Sequence, residues 1–525
     1  MDAGARTRHL HFPRKDKYMT ISKMTLREKI GQMLCFAFHN PEYDEQIATF
    51  IHEFQLGGVI YFQRNIKNIE QVAALNLKMQ SESKIPLFIG LDQEGGPVLR
   101  IMKGITPLPG AMALSAADPE QIHEITKTVG ENLRCLGFNL NFAPVGDVNN
   151  NPANPVINSR SYSDDPEVVA KCAVSAFKGF QDGGILPTIK HFPGHGNTSV
   201  DSHLGLPVVK NNRAEVFQTE LVPFKKAIAE GIDGVMISHI LYENFDHEYP
   251  ASLSYNIITC LLKEKLGFKG LIVTDSLTMG AISSRFSAEE IVERAVNAGN
   301  DLLIFCGKAD LNEQREIVLA FEKLAEEGKI SKARIDESVK KILRLKAKYA
   351  AAPDIDVSKL RVNTELAQML QNKSVTLVYN HNWVPIKAQD KVLLIFPEIK
   401  LASLVDNVNQ KYQTMKDYLD YPQFIINNEL ANLPEIALEA PKYDKIILGT
   451  YNVLEGDHQT KVFEALPKNR LMVVSLRSPY DCLLLKGIKN YVCIYELTPP
   501  SLQSCALALK GAIPFSGKLP IRLTR

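Results

Sequence analysis

The densest run of chemically competent side chains in this 525-residue chain is Lys190-His191-Phe192-Pro193-Gly194-His195-Gly196-Asn197-Thr198-Ser199-Val200-Asp201-Ser202-His203. Two glycines and a proline let such a loop fold sharply and approach a ligand closely. Asp201 and His203 stand two residues apart, so a short turn would bring the carboxylate to the imidazole. That pairing orients the ring and stabilises its protonated form, giving a group that donates and accepts a proton near neutral pH. A second candidate is Asp275, which follows the apolar run Leu271-Ile272-Val273-Thr274. A carboxylate there is either the N-cap of the next helix or a nucleophile, and the residues leave both open. Set opposite an acid/base pair, it would suit two-step cleavage of a glycosidic bond: the carboxylate attacks the sugar carbon while a proton donor serves the leaving oxygen. His191, His195, Asp201 and His203 are also metal-ligand types. Their spacing matches no helical zinc motif and Lys190 would set a positive charge beside the ion, so the reading includes no metal and no cofactor.

The elements that must hold these residues are visible as an alternation over the first 310 positions. Short apolar runs at 33–38, 58–62, 87–92, 139–143, 187–191, 235–239, 271–275 and 302–306 are separated by longer segments. Several of those segments, at 70–82, 119–136, 166–183, 215–230 and 288–298, carry apolar residues at three- and four-residue steps. Continuous apolar strands joined by helices imply a parallel sheet covered on both faces. Eight of them imply a closed (β/α)8 TIM-type barrel, with an open doubly wound sheet as the alternative. In a barrel the active site lies at the strand C-termini, and polar residues gather there: Asp92, Asp147, Lys190 and His191, His239, and Asp275. One such residue is readily explained as a cap or a satisfied core group; a set converging on one face reads as function.

The expected organisation is a flexible leader at 1–18, a catalytic barrel domain at 19–350, a linker at 351–370 and a smaller α/β three-layer sandwich at 371–525. Candidate strands of the second domain fall at 374–379, 391–396, 445–450, 471–475, 491–495 and 519–523. The balance of 60 Lys+Arg against 59 Asp+Glu gives a net charge of +1, which offers no electrostatic reason to expect nucleic acid or an anionic membrane as partner. No stretch approaches the roughly 20 apolar residues of a membrane helix, and the N-terminal residues lack the apolar core of a secretory signal. Eight scattered cysteines without a CxxC pair fit thiols in a reducing compartment. A cytoplasmic protein acting on a small ligand is the expectation; the sequence says nothing of oligomeric state.

With these residues in view, the chain resembles a known family. Lys190-His191-Phe192-Pro193-Gly194-His195-Gly196 with Asp201-Ser202-His203 looks like the signature loop of family 3 β-N-acetylhexosaminidases, of the NagZ type in its two-domain form. Further blocks follow in order: Gly90-Leu91-Asp92-Gln93-Glu94-Gly95-Gly96, Asn141-Phe142-Ala143-Pro144-Val145, Arg160-Ser161-Tyr162, Pro250-Ala251-Ser252-Leu253-Ser254, Leu266-Gly267-Phe268-Lys269-Gly270 and Val273-Thr274-Asp275-Ser276. They span about residues 25–345. The resemblance implies Asp275 as nucleophile, His203 as general acid/base and Asp201 as its partner. It also implies Asp92, Arg160, Lys190 and His191 as the residues that hold the sugar hydroxyls. The implied activity is retaining exo-β-N-acetylglucosaminidase action on terminal β-linked GlcNAc of peptidoglycan fragments or chito-oligosaccharides, in cell-wall recycling or sugar salvage. Phosphorolysis, β-glucosidase activity and a silent carbohydrate-binding role are the alternatives. The chain departs from the family at Pro97, where relatives commonly have Arg.

Overall fold

The computed structural model describes residues 21–199, 205–307, 310–351, 355–399, 413–427 and 429–523. The expected leader, and Asp201 and His203 of the loop, lie outside the described residues. Among the described residues, eight short parallel strands form the first sheet: β1 Leu34–Ala37, β2 Gly58–Tyr61, β3 Phe88–Leu91, β4 Leu140–Asn141, β5 Leu186–Phe192, β6 Gly234–Ile237, β7 Leu271–Thr274 and β8 Leu303–Phe305. Every residue in them is buried, because one face meets the barrel interior and the other meets helices. The order runs β8-β1-β2-β3-β4-β5-β6-β7. Val273 of β7 bridges Leu302 just before β8, and the Thr274 Oγ1 accepts from Ile304 N–H at 3.0 Å, so the last strand meets the first and the sheet curls into a barrel. The open-sheet alternative is thereby set aside.

The covering helices start and stop where local chemistry says they should. Thr25 and Glu28 form a reciprocal capping box ahead of Leu26–Gln32, and Asp165 caps Pro166–Asp182 with proline at the first helical position. Helix Ala288–Ala298 opens on a Ser287–Glu290 capping box and ends at Gly299 with φ 118°, a left-handed turn that glycine takes without a Cβ penalty. No helix among the described residues is long and apolar enough to cross a membrane.

The second domain is built on a mixed six-stranded sheet: β9 Thr376–Tyr379, β10 Val392–Pro397, β11 Gln423–Ile426, β12 Lys445–Thr450, β13 Leu471–Ser475 and β14 Tyr491–Cys493. The order is β9-β14-β13-β12-β10-β11, with only β9 antiparallel to its neighbour. Alternate residues of β10 enter opposite cores, Leu393 and Ile395 on one face and Leu394 and Phe396 on the other, as a three-layer sandwich requires. The first of these cores also takes in Met112, Ala113 and Ala116 from barrel-domain helix Ala111–Ala117, so the domains share apolar packing.

Three details differ from the sequence reading. Helix Thr364–Ser374 begins inside the expected 351–370 linker and packs on both Ala111–Ala117 and Pro499–Leu509. Edge strand β11 was not anticipated; it is half-exposed and carries little burial signal. The alternating Leu519, Ile521 and Leu523 form no strand. The backbone beside them bonds to the barrel instead: Lys518 N–H donates to Ala116 O at 2.9 Å and Arg522 N–H to Asp164 Oδ2 at 2.9 Å.

Candidate active site

Asp92 follows β3 directly, and the loop after it doubles back. Gln93, fully buried, donates from Nε2 to Ile101 O at 2.8 Å and accepts from the N–H groups of Arg100 (3.0 Å) and Ile101 (3.1 Å). Between these anchors the chain turns through Gly95 and Gly96, at φ 109° and 54°, conformations that side chains other than glycine rarely adopt. The outcome is that Arg100 returns to Asp92, its Nη2 lying 3.1 Å from Oδ2. The loop that carries Pro97 is therefore held closed by Gln93, and its far end brings the Arg100 guanidinium to Asp92.

Lys190, within β5, joins this group. Its Nζ lies 2.8 Å from Asp92 Oδ1 and 2.6 Å from Glu94 Oε1. Arg160, on the short turn Asn158–Arg160, meets Glu94 through two parallel bonds, Nε to Oε2 at 2.9 Å and Nη2 to Oε1 at 2.8 Å. Burial alone would push both carboxyls up. The cations outweigh it: Lys190 and Arg100 hold Asp92 below its ordinary range, and Arg160 and Lys190 hold Glu94 well below it. Burial works against the charge on Lys190 too, and Asp92 and Glu94 overcome it, raising its pKa. All three are charged at neutral pH.

A third carboxylate, Asp147 beyond β4, organises the histidines. Its Oδ1 accepts the N–H groups of His191 (3.0 Å) and His195 (2.7 Å), and Oδ2 accepts from His191 Nδ1 at 2.7 Å. A carboxylate only accepts here, so the proton sits on His191 Nδ1 and Nε2 is left to the cavity. Burial opposes the charge on Asp147, but His191 and these bonds keep its pKa low. His195 is pushed down to about 4, by burial first and then by the neighbouring His191, and is a neutral imidazole at neutral pH. Its Nδ1 lies 2.8 Å from Thr198 Oγ1.

Asp275 follows β7. Its N–H donates to Ile237 O at 2.9 Å, and its Oδ1 accepts from Ser276 N–H at 2.7 Å. It caps no helix, since the next one, Gly280–Ser283, starts beyond Met279. The loop is pinned from below. His239 Nε2 donates to Ser276 O at 2.8 Å while its Nδ1 meets Ser252 Oγ at 2.8 Å, and Ser276 Oγ accepts from Cys306 N–H at 3.2 Å. His239, read from the sequence as one of the converging polar groups, thus supports the Asp275 loop and does not line the cavity. That cavity, about 430 Å³, is lined by Asp92, Glu94, Arg160, Lys190, His191 and Asp275, together with Arg100, His195 and apolar neighbours such as Phe62 and Met236.

Five of the seven expected site residues, Asp92, Arg160, Lys190, His191 and Asp275, therefore share one cavity at the C-terminal mouth of the barrel. Asp201 and His203 lie outside the described residues, four and two positions short of the next described one, Gly205. No group of three or more His, Cys, Asp or Glu among the described residues is arranged to hold a metal ion. The sequence reading missed Glu94, Arg100 and the role of Asp147. Glu94 stood within the quoted Gln93-Glu94-Gly95-Gly96 run and Asp147 at a strand end, so both carried a signal; Arg100 carried none beyond its nearness in sequence to Asp92.

The profile of the glycosyl hydrolase family 3 N terminal domain matches residues 25–345, which is the barrel and all five of these residues. The chain is a family 3 glycoside hydrolase. It belongs to the two-domain β-hexosaminidase form of the family. Beta-hexosaminidase A of Pseudoalteromonas piscicida is 33% identical over 91% of this chain and 90% of its own length. A beta-hexosaminidase of Neisseria meningitidis serogroup B is 34% identical, aligned to 50% of this chain and 74% of its own. Among solved structures, a family 3 beta-N-acetylglucosaminidase from Paenibacillus sp. str. FPU-7 superposes with a TM-score of 0.90 at 37% identity, covering 95% of this chain and 99% of that one. The family 3 fold thus extends through the C-terminal domain as well as the barrel.

Proposed function

We propose that this family 3 enzyme is a retaining exo-β-N-acetylglucosaminidase that releases terminal, non-reducing β-linked GlcNAc through a covalent glycosyl-aspartate on Asp275. The observation that carries the reading is that Asp275 and the Asp92, Arg160, Lys190 and His191 set line a single cavity of sugar size. In the first step the Asp275 carboxylate attacks the anomeric carbon as the glycosidic bond breaks, and an acid protonates the leaving oxygen. In the second, a base takes a proton from water, which displaces Asp275. His203, oriented by Asp201, is the group assigned to both proton transfers. Asp92, Lys190 and His191 hold sugar hydroxyls by charge-assisted bonds that tighten as positive charge builds on the ring. Arg160, already paired twice with Glu94, adds a guanidinium at the same wall. Peptidoglycan fragments or chito-oligosaccharides are the proposed sources of substrate. A cytoplasmic setting is part of the reading, supported by eight cysteines none of which forms a disulfide.

Replacing Asp275 with Ala should lower turnover of an aryl β-GlcNAc by about 10³-fold or more; activity near wild type would refute the nucleophile. His203→Ala should cost about 10²-fold or more on poor leaving groups and much less on activated aryl groups. Equal losses on both would remove His203 from the acid role. Running the assay with and without phosphate, and looking for GlcNAc 1-phosphate, decides whether water is the acceptor.

A further inference from the structure

The parallel part of the C-terminal sheet runs β11-β10-β12-β13-β14. The chain leaves β10 to one side, makes β11, and crosses to the other side for β12, so the winding reverses between β10 and β12. Open parallel sheets bind ligands beyond the carboxyl ends of their strands at such a reversal. A cleft of about 750 Å³ lies at that place, larger than the barrel cavity. Its walls are Pro397 at the end of β10 and Glu398 after it, residues of 451–459 after β12, residues of 478–484 after β13, and 152–155 with Asn158 from the barrel loop that leads to Arg160.

The chemistry of those walls is one-sided. Glu398, Glu455, Asp457 and Asp481 line the cleft, and no Lys or Arg does among the described residues. Asp457 is engaged, capping helix His458–Ala465 through Gln459 N–H at 2.7 Å and Thr460 N–H at 3.1 Å. Asp481 and Asn158 are 2% and 4% exposed, yet Asp481 Oδ2 and Asn158 Oδ1 have no hydrogen-bond partner; neither has Asn452 Oδ1, nor His458 Nε2, a ring nitrogen that can donate or accept. The two amide oxygens are acceptors, and Asp481, which burial pushes up to about 7, accepts whenever it is ionised, so a ligand that satisfies these atoms brings donors. A phosphate or carboxylate ligand would meet carboxylates with no cation to offset them. Tyr451, Tyr480 and Leu484 supply the apolar area that a pocket of this size uses for contact.

We propose that this cleft is a second ligand site, separate from the barrel cavity, for a sugar-sized molecule that presents hydroxyl or ammonium donors and carries no anionic group. Its occupant is mechanically close to the catalytic mouth. Asn154 lines the cleft, donates from Nδ2 to His195 O (2.8 Å) and Gly196 O (2.9 Å), and accepts from Val156 N–H (2.9 Å) and Ile157 N–H (2.8 Å). One side chain therefore ties the cleft wall to the His195 turn and to the segment that carries Arg160.

The test is calorimetric titration of the full chain with the glucosamine disaccharide, in an Asp92→Asn background that weakens sugar binding in the barrel. One saturable site is expected. Adding Glu455→Lys, an exposed change compatible with folding, should weaken it by about tenfold or more, and Asp481→Asn should weaken it as well. The neutral chitobiose should still bind, whereas glucosamine 6-phosphate should bind about tenfold more weakly than glucosamine. No saturable site for either disaccharide, affinity indifferent to both Glu455→Lys and Asp481→Asn, or equal affinity for the phosphorylated sugar would overturn the proposal. Because the readout is binding in a barrel-weakened variant, failure of this site and failure of the catalytic reading are separable.

Discussion

Glu94, next to Gly95 and Gly96 in sequence, and Glu496, whose Oε2 lies beside Gly96 and Gly110, are both buried carboxylates, and their surroundings drive them in opposite directions. Glu94 sits between two cations, Lys190 at 2.6 Å and Arg160 at 2.8 Å, which hold it ionised against the cost of burial. Glu496 arrives from the second domain and finds only neutral donors: Gly110 N–H on Oε2, and Gln371 Nε2 (2.6 Å) and Thr498 Oγ1 (2.9 Å) on Oε1. Burial dominates there and pushes its pKa up to about 7. Three good hydrogen bonds do not replace one opposite charge when water is excluded. The Asp92 and Glu94 carboxylates that line the barrel cavity are thus held ionised at neutral pH, while the one that joins the domains titrates near neutrality.

The largest effect expected from this contrast is at Glu94. Glu94→Gln leaves Lys190 and Arg160 buried with one carboxylate fewer, and should cost about 3 kcal/mol or more in urea unfolding at pH 7; a cost under about 1 kcal/mol would mean that the cations find other partners. The next is a change of slope at Glu496. Its folded pKa lies above the ordinary 4.5, so the folded state binds the extra proton, and its contribution is present below about pH 4.5 and lost as pH rises through about 7. Glu496→Gln should remove that decline, on the order of 3 kcal/mol between those limits, making the variant the more stable protein at pH 8. Stability curves that stay parallel from pH 5 to pH 8 would count against the raised value. The smallest effect is steric. A Cβ at Gly110 would stand 2.7 Å from Glu496 Oε2, with its next neighbours at 3.5 Å. Gly110→Ala should therefore destabilise by about 1–2 kcal/mol, and combining it with Glu496→Ala should recover about 1 kcal/mol of that loss. Strict additivity in the double variant would show that Glu496 is not what confines Gly110.

Much of this was legible in the sequence because buried parallel strands leave unbroken apolar runs, and a barrel puts the residue after each run at its mouth. Asp92, Lys190, His191 and Asp275 were read in that way. Arg160 stands among the polar residues of the long loop after β4, and its sugar-holding role came from family resemblance. What escaped depends on contacts distant in sequence or on local reversal. Arg100 reaches Asp92 only because Gln93 holds both ends of the loop. Glu496 meets Gly110 across 386 positions. The alternation at 519–523 imitated a strand, but only Ile521 of it is buried, and the segment packs against the core around Leu393 and Ile395 without pairing to the sheet. Edge strand β11 failed for the converse reason, burying too little to pattern its sequence.

The shared packing around Met112, Ala113 and Ala116 bears on how the two lobes relate. The helix that carries them also binds Glu496 at its start and Lys518 near its end, so it is gripped from outside along its whole length. A barrel cut free of its companion would turn three greasy side chains and an orphaned amide toward water. The C-terminal lobe therefore covers part of the barrel's apolar surface, while each lobe keeps a core of its own.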